Sequence, residues 1–351
     1  MNDPQPSHAS EGIKIGSFFP PEHCGASGGL LSLTTDEEGA ADDWAFLRHT
    51  GVEYLSTWTT IDGFSYEAMV QHRQFVETHG IRVYNIGILD LHCDPTIVLG
   101  LRGVDEKIDQ YQQYLRNLGK AGIPYTTYAH MANLKGQAIP GYYQTAHVAD
   151  RGGARTREFN LDVANELPPS HDRTYSEDHI WGTFTDFIQA VIPVAEEAGV
   201  RIGLHPDDPP VASLGGIARC FRNFQAFERA MEIADSDNFG LCFCAGTWAE
   251  GGPTTGKDVL EMIQYYGSRG KIFKVHFRNV DRPLPKFQET FIDNGYLDAY
   301  QVMRALREVE FEGIIVPDHV PAGGYPQVNN AYTIGYMKAL RDRVNDEFLV
   351  A

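Results

Sequence analysis

The chain has 351 residues, 42% hydrophobic and 22% charged, a balance that suits a chain folding around an apolar core. Its formal charge of -18 argues against a nucleic-acid partner, because a polyanion would have to be held against like charge. No apolar run reaches the roughly 18–20 residues that a membrane span needs, which argues against a membrane partner too.

The start, Met1 to Ser10, is polar and lacks the apolar core of a secretory leader. The five cysteines, Cys24, Cys93, Cys220, Cys242 and Cys244, are odd in number and scattered. They read as reduced thiols, and the expected location is the cytoplasm.

A first strand is expected over Ile13 to Phe18. One punctuation mark then recurs: an amphipathic stretch ends at a glycine, and a short β-branched or aromatic run follows at once. It appears as LRHTG-VEYLST at Gly51, FVETHG-IRVYNIG at Gly80 and LGKAG-IPYTTYAH at Gly122. It returns as AEEAG-VRIGLH at Gly199, YYGSRG-KIFKVHF at Gly270 and EVEFEG-IIVPDH at Gly313, with a looser case, ADSDNFG-LCFC, at Gly240.

The segments before these glycines have helical spacing. Before Gly199 the apolar face is Phe184, Phe187, Ile188, Val191, Ile192 and Ala195, with Pro193 expected to bend the helix. Before Gly313 it is Val302, Leu306 and Val309. Eight strands alternating with helices predict an α/β fold, a single (β/α)8 TIM barrel over residues 1–351. No G-x-G-x-x-G turn follows the first strand, which disfavours the open, doubly wound alternative. After strand 4, residues 131–180 form a long insertion with little periodicity, read as an active-site lid or oligomer contact. A homo-oligomer is expected.

A barrel gathers the ends of its strands around one mouth. Strand five ends in Leu204-His205-Pro206-Asp207-Asp208, strand six in Cys242-Phe243-Cys244, strand seven in His276-Phe277-Arg278, and strand eight in Pro317-Asp318-His319. A lone histidine or cysteine is usually a structural residue. Four potential ligands at the ends of four consecutive strands instead suggest a metal site: His205, Cys244, His276 and Asp318. Alternation points Cys242 and Cys244 the same way. Cys244 stands at the extreme end and is preferred, leaving Cys242 in the barrel interior.

These segments also resemble one family. The stretch from about Trp181 to Leu340, with AVIPVAEEAGVRIGLHPDDPP, LGGIAR, CFCAGT, KVHFRNV, GYLDAYQVMRALREVEFEG and VPDH, is similar to the mannonate dehydratases. The resemblance implies a metal-dependent barrel of the xylose-isomerase-like kind, a lyase of hexuronate catabolism that converts D-mannonate to 2-keto-3-deoxy-D-gluconate and water. It implies Mn(II) or Fe(II) on His205, Cys244, His276 and Asp318, and it implies His319 and Tyr332 as the proton-transfer pair. Arg278, also counted among the catalytic residues, and Lys274 are candidates to hold the substrate carboxylate. His130, at the end of strand four, is a further candidate contact. Asp207 and Asp208 are open between accepting hydrogen bonds at the site and capping the following turn.

The chain departs from the family in places. Val316-Pro317-Asp318-His319-Val320 stands where Arg-Pro-Asp-His-Gly is expected, and Phe287 to Ile292 keeps the Phe and Glu without the histidine that often follows. The rival readings are a metal-dependent sugar isomerase or epimerase, and a catalytically dead barrel that binds sugars.

Overall fold

The computed structural model describes residues 12–18, 40–137, 141–171, 173–323 and 326–350. The polar start and Cys24 lie outside the described residues. In chain order the elements begin β1 (Lys14–Phe18), α1 (Ala40–Thr50), β2 (Tyr54–Thr59), α2 (Tyr66–Thr78), β3 (Arg82–Ile88), α3 (Pro95–Val98), α4 (Val104–Lys120) and β4 (Tyr125–Tyr128). They continue with β5 (Ala146–Ala149), β6 (Arg155–Asn160), α5 (Leu161–Asn165), α6 (Glu177–Ala198), β7 (Arg201–Leu204), β8 (Ser213–Leu214), β9 (Ile217–Ala218) and α7 (Phe224–Ala234). The rest are β10 (Phe239–Cys244), α8 (Ala245–Gly251), α9 (Val259–Gly267), β11 (Ile272–Phe277), β12 (Asn279–Val280), β13 (Lys286–Thr290), α10 (Ala299–Glu308), β14 (Ile314–Pro317) and α11 (Pro326–Val350).

Eight strands close into a barrel in the ring order β1-β14-β11-β10-β7-β4-β3-β2, and every pair in the ring is parallel. The chain is therefore a (β/α)8 barrel. Among the described residues no helix is long and apolar enough to cross a membrane.

The recurring glycines do two different jobs. Gly199 has φ 66° and closes α6, its N–H bonding the carbonyls of Ala195 and Glu196. Gly313 and Gly240 are there for space: a Cβ at either would lie 2.4–2.5 Å from a backbone oxygen, that of Phe273 or Lys271. The left-handed step before them falls instead on Glu310 and Asp235, at φ 54° and 41°. The helix with Pro193 opens earlier than its apolar face suggests, on the cap Ser176, and continues through the proline as one element.

The insertion after the fourth barrel strand is more ordered than its sequence suggests. Antiparallel β5 and β6 form a hairpin, β6 pairs with β13, and the resulting sheet has the order β12-β13-β6-β5. These strands escape notice because β5 and β6 have almost no apolar alternation; their apolar anchors are few, chiefly Phe159 stacked on Phe287. Residues 138–140 and 172 of the insertion lie outside the described residues.

Inside the barrel, aromatic side chains including Tyr84, Tyr125 and Phe273 pack into one apolar cluster. Next to it lies a polar layer: Lys274 Nζ reaches across the interior to donate to Ser56 Oγ at 2.8 Å, and Asn85 Nδ2 donates to the same oxygen at 2.9 Å. Outside, α4 and α6 approach so closely that a Cβ on Gly119 would lie 2.2 Å from the Ala198 carbonyl oxygen. Alanine is ordinarily the better helix former by about 1 kcal/mol, but here the added methyl meets backbone that cannot yield. Gly119→Ala is expected to lower stability by about 1–3 kcal/mol, read from the urea midpoint; a gain in stability would refute the close packing of α4 on α6.

Candidate metal centre and active site

The structure brings His205, Cys244 and His276 together: one donor atom from each lies within 4.8 Å of the other two, and all three side chains are buried. The strand register explains the convergence. Cys244 and His276 are paired across β10 and β11, and His205 directly follows β7. Asp318, just past β14, completes the group, its Oδ2 3.7 Å from Cys244 Sγ and 3.8 Å from His276 Nδ1.

Each donor is held by a neighbour. His205 Nδ1 donates to the Pro206 carbonyl at 2.7 Å, which leaves Nε2 as the free donor. His276 Nε2 is 3.4 Å from Cys242 Sγ, so Cys242 sits behind the imidazole and orients it. Cys244 caps α8, its sulfur accepting from Thr247 N–H at 3.4 Å.

Burial lowers both His205 and His276, keeping the imidazoles in the neutral form that binds metals. Burial raises the Cys244 thiol, which therefore needs a nearby cation to become thiolate. Burial would raise Asp318 too, but the positive charge around it, with the Arg278 guanidinium at 3.0 Å, outweighs it and holds the carboxyl well below its usual range. Two neutral imidazoles, a thiol and a carboxylate facing one point fit a divalent transition-metal ion.

His319 lies beside this group with φ 42°. Its Nδ1 bonds Glu289 Oε1 at 2.6 Å and its Nε2 is 3.7 Å from Asp318 Oδ1. The same cavity is lined by Phe18, Trp58, His92, Tyr142, His205, Asp208, His276 and Asp318. Glu289 is a site residue to which the sequence assigned no role. Burial would raise it, yet His319, Arg157 and Arg278 together hold it at about 2. Tyr142 comes from the insertion, which thus covers the mouth; its ring is 5.1 Å from His319 and lies under the Arg157 guanidinium.

The structure places several of the expected contacts outside the lining of this cavity. Arg278 is buried and fully engaged, donating Nε to Asp318 at 3.0 Å, Nη2 to Asp208 at 2.8 Å and to Thr247, and Nη1 to Glu250. It has no free edge for a substrate carboxylate. Lys274 is spent on Ser56 in the barrel interior, with its ammonium over the Phe18 ring. His130 points away from the mouth, bonded through Nδ1 to Tyr128 at 2.7 Å and through Nε2 to Thr183 at 3.2 Å. Asp207 accepts from Phe221 N–H and faces Arg219, whereas Asp208 reaches the cavity. Tyr332 is 42% exposed on α11, its ring beside Phe291 and the Arg151 guanidinium, and it does not line the cavity.

The architecture and the site together define a barrel enzyme whose strand ends bring His205, Cys244 and His276 into a candidate metal-binding group at the C-terminal mouth. Residues 157–349 match the D-mannonate dehydratase (UxuA) family. Mannonate dehydratase 2 of Halalkalibacterium halodurans is 30% identical over 282 residues, which cover 72% of this chain and 78% of that protein. The mannonate dehydratase of Streptococcus suis serotype 2 superposes with a TM-score of 0.77 at 24% identity, over 95% of both chains. An L-ribulose 3-epimerase shares the fold with a TM-score of 0.61 at 13% identity, over 96% of this chain and 97% of the other. The chain belongs to the D-mannonate dehydratase family. It is a sugar-acid dehydratase, a hydro-lyase.

Arg278 decides between a substrate contact and an internal tie. If its role is to bind substrate, Arg278→Met raises KM and leaves the fold intact. The engaged guanidinium predicts a different result. Removing it strands buried carboxylates and should cost about 3–5 kcal/mol, visible as a lowered urea midpoint together with loss of bound metal.

Proposed function

We propose that the chain removes water from D-mannonate to give 2-keto-3-deoxy-D-gluconate, with Mn(II) or Fe(II) held by His205, Cys244, His276 and Asp318. The observation that carries the reading is His319, standing in the same cavity as His205, His276 and Asp318 with Glu289 behind it. The donor chemistry supports a transition metal, and the family likeness supports manganese or iron among them.

When bound, the metal ion supplies the positive charge that meets the substrate carboxylate and stabilises charge developing as the C2 proton leaves. Among the described residues no Lys or Arg lines the cavity, so no side chain competes for that carboxylate. His319 does the proton work. Its Nδ1–H donates to Glu289, which fixes the tautomer and leaves Nε2 unprotonated toward the cavity. Nε2 takes the proton from C2, Glu289 shares the resulting positive charge, and the proton passes to the departing C3 hydroxyl. The C2–H and C3–O bonds break, the C2–C3 double bond forms, water leaves, and the enol tautomerises to the keto acid.

Tyr142 and Gly141 bring the insertion into the cavity wall, a placement in keeping with a lid over the substrate.

The reading is tested on protein stripped by a chelator and resupplied with Mn(II), Fe(II) or Zn(II) separately, following keto-deoxy acid from D-mannonate. Product is expected with Mn(II) or Fe(II) and none without metal. A tightly held metal with no keto-deoxy acid would send the assignment to an epimerase. In the same assay Cys244→Ser should lose metal and turnover, while Cys242→Ser, whose hydroxyl still faces His276, should keep its metal and most of its rate.

Glu289→Gln keeps the shape of the partner and removes its charge. The expected result is full metal content with kcat about 10–100-fold lower; an unchanged kcat would remove Glu289, and His319 with it, from the proton path.

A further inference from the structure

The cavity has two unlike halves. β7, β11 and β14 bring His205, His276 and Asp318 to one side, and the other wall comes from β1, β2 and the turn after β3, as Phe18, Trp58 and His92. Trp58 stands two residues beyond Ser56 on the inward row of β2, and its register partner on β3 is Gly87. A Cβ at position 87 would lie 2.4 Å from two carbons of the indole, so the glycine keeps open the space the ring fills. His92 packs on the same indole edge to face, with centroids 4.9 Å apart.

Both side chains are nearly sealed, Trp58 at 3% exposed and His92 at 7%. Yet Trp58 Nε1 and His92 Nδ1 have no hydrogen-bond partner among the described residues. Buried nitrogens are rarely left so, because their lost hydration is not repaid. Two such nitrogens on touching rings that line one cavity are unmet hydrogen-bonding groups that a ligand bringing its own oxygen atoms would satisfy. Hydroxyl groups suit both, since a hydroxyl can accept from the indole N–H and can donate to or accept from either tautomer of an imidazole. The indole face offers a flat apolar surface to the C–H groups between those hydroxyls.

We propose that Trp58 and His92 form the subsite for the hydroxyl-bearing tail of the sugar acid, carbons 4 to 6, and so set the chain length the enzyme accepts. This rests on the sugar-acid reading above. It also orients the substrate, with the carboxylate end toward His205 and Asp318 and the tail toward β2 and β3.

The test pairs Trp58→Phe, which keeps a ring and deletes the N–H, with His92→Leu, each Mn(II)-loaded. Kinetics on D-mannonate are measured beside calorimetric titration with D-gluconate, a C2 epimer with the same tail, and L-threonate, the four-carbon acid that shares D-gluconate's configuration at C2 and C3 and stops where the tail begins. The expected result is a KM for D-mannonate at least tenfold higher in each variant, with kcat within threefold and metal content unchanged. D-gluconate should weaken in parallel and L-threonate should bind as to the wild type. Equal losses for both acids, or none for either, would overturn the subsite. A wild type that binds D-gluconate far more tightly than L-threonate but makes no keto-deoxy acid would overturn the dehydration step alone. The subsite would then stand or fall on the calorimetric ratios of the variants. A wild type that binds neither acid overturns both.

Discussion

One buried guanidinium holds the mouth of this barrel together. Arg278 contacts Asp208 after β7, Glu250 on α8, Glu289 on β13 and Asp318 after β14. Four segments distant in the chain are thus tied to one cation. The consequence is chemical as well as mechanical, for Asp318 stands beside the candidate metal group and Glu289 is hydrogen-bonded to His319 Nδ1. With more carboxylates than one cation can neutralise, burial outweighs the arginine at Glu250 and pushes its carboxyl above the usual range. Gly246 belongs to the same arrangement: a Cβ there would strike the Arg278 side chain at 2.3 Å, so the start of α8 must be bare for the arginine to lie flat.

The barrel itself was legible because its rhythm is local. Helix stops and strand starts are written in adjacent residues, and His205, Cys244, His276 and Asp318 stand at strand ends that can be counted off in order. What could not be read is what depends on direction. Arg278 occupies a position beside the ligands, and nothing in the sequence says that its donors are consumed by Asp208, Glu250 and Asp318 before a substrate arrives. Tyr332 shares a segment with His319, yet α11 carries it to the outer surface beside Arg151. His130 follows a strand whose end turns its ring under α6, where Phe184 and Phe187 surround it.

The N-terminal half was harder to read for another reason. Trp58 and His92 sit in runs that look like ordinary apolar strand and turn, and each becomes informative only when the cavity on which they border is seen. Gly87 was a faint clue, since a glycine inside a strand often marks a close approach. Glu289 was visible as a residue but not as a partner, because β13 has no place in a (β/α)8 count; it is an extra strand that exists to pair with β6.

That pairing has a further consequence. β6 belongs to the insertion that carries Tyr142 over the cavity, and β13 carries Glu289 behind His319, and the two strands are joined through Lys286–Asn160, Phe287–Phe159 and Gln288–Glu158. The hairpin that carries Tyr142 over the cavity and the strand that carries Glu289 behind His319 are therefore parts of one sheet, and a displacement of either is transmitted to the other through their shared backbone ladder.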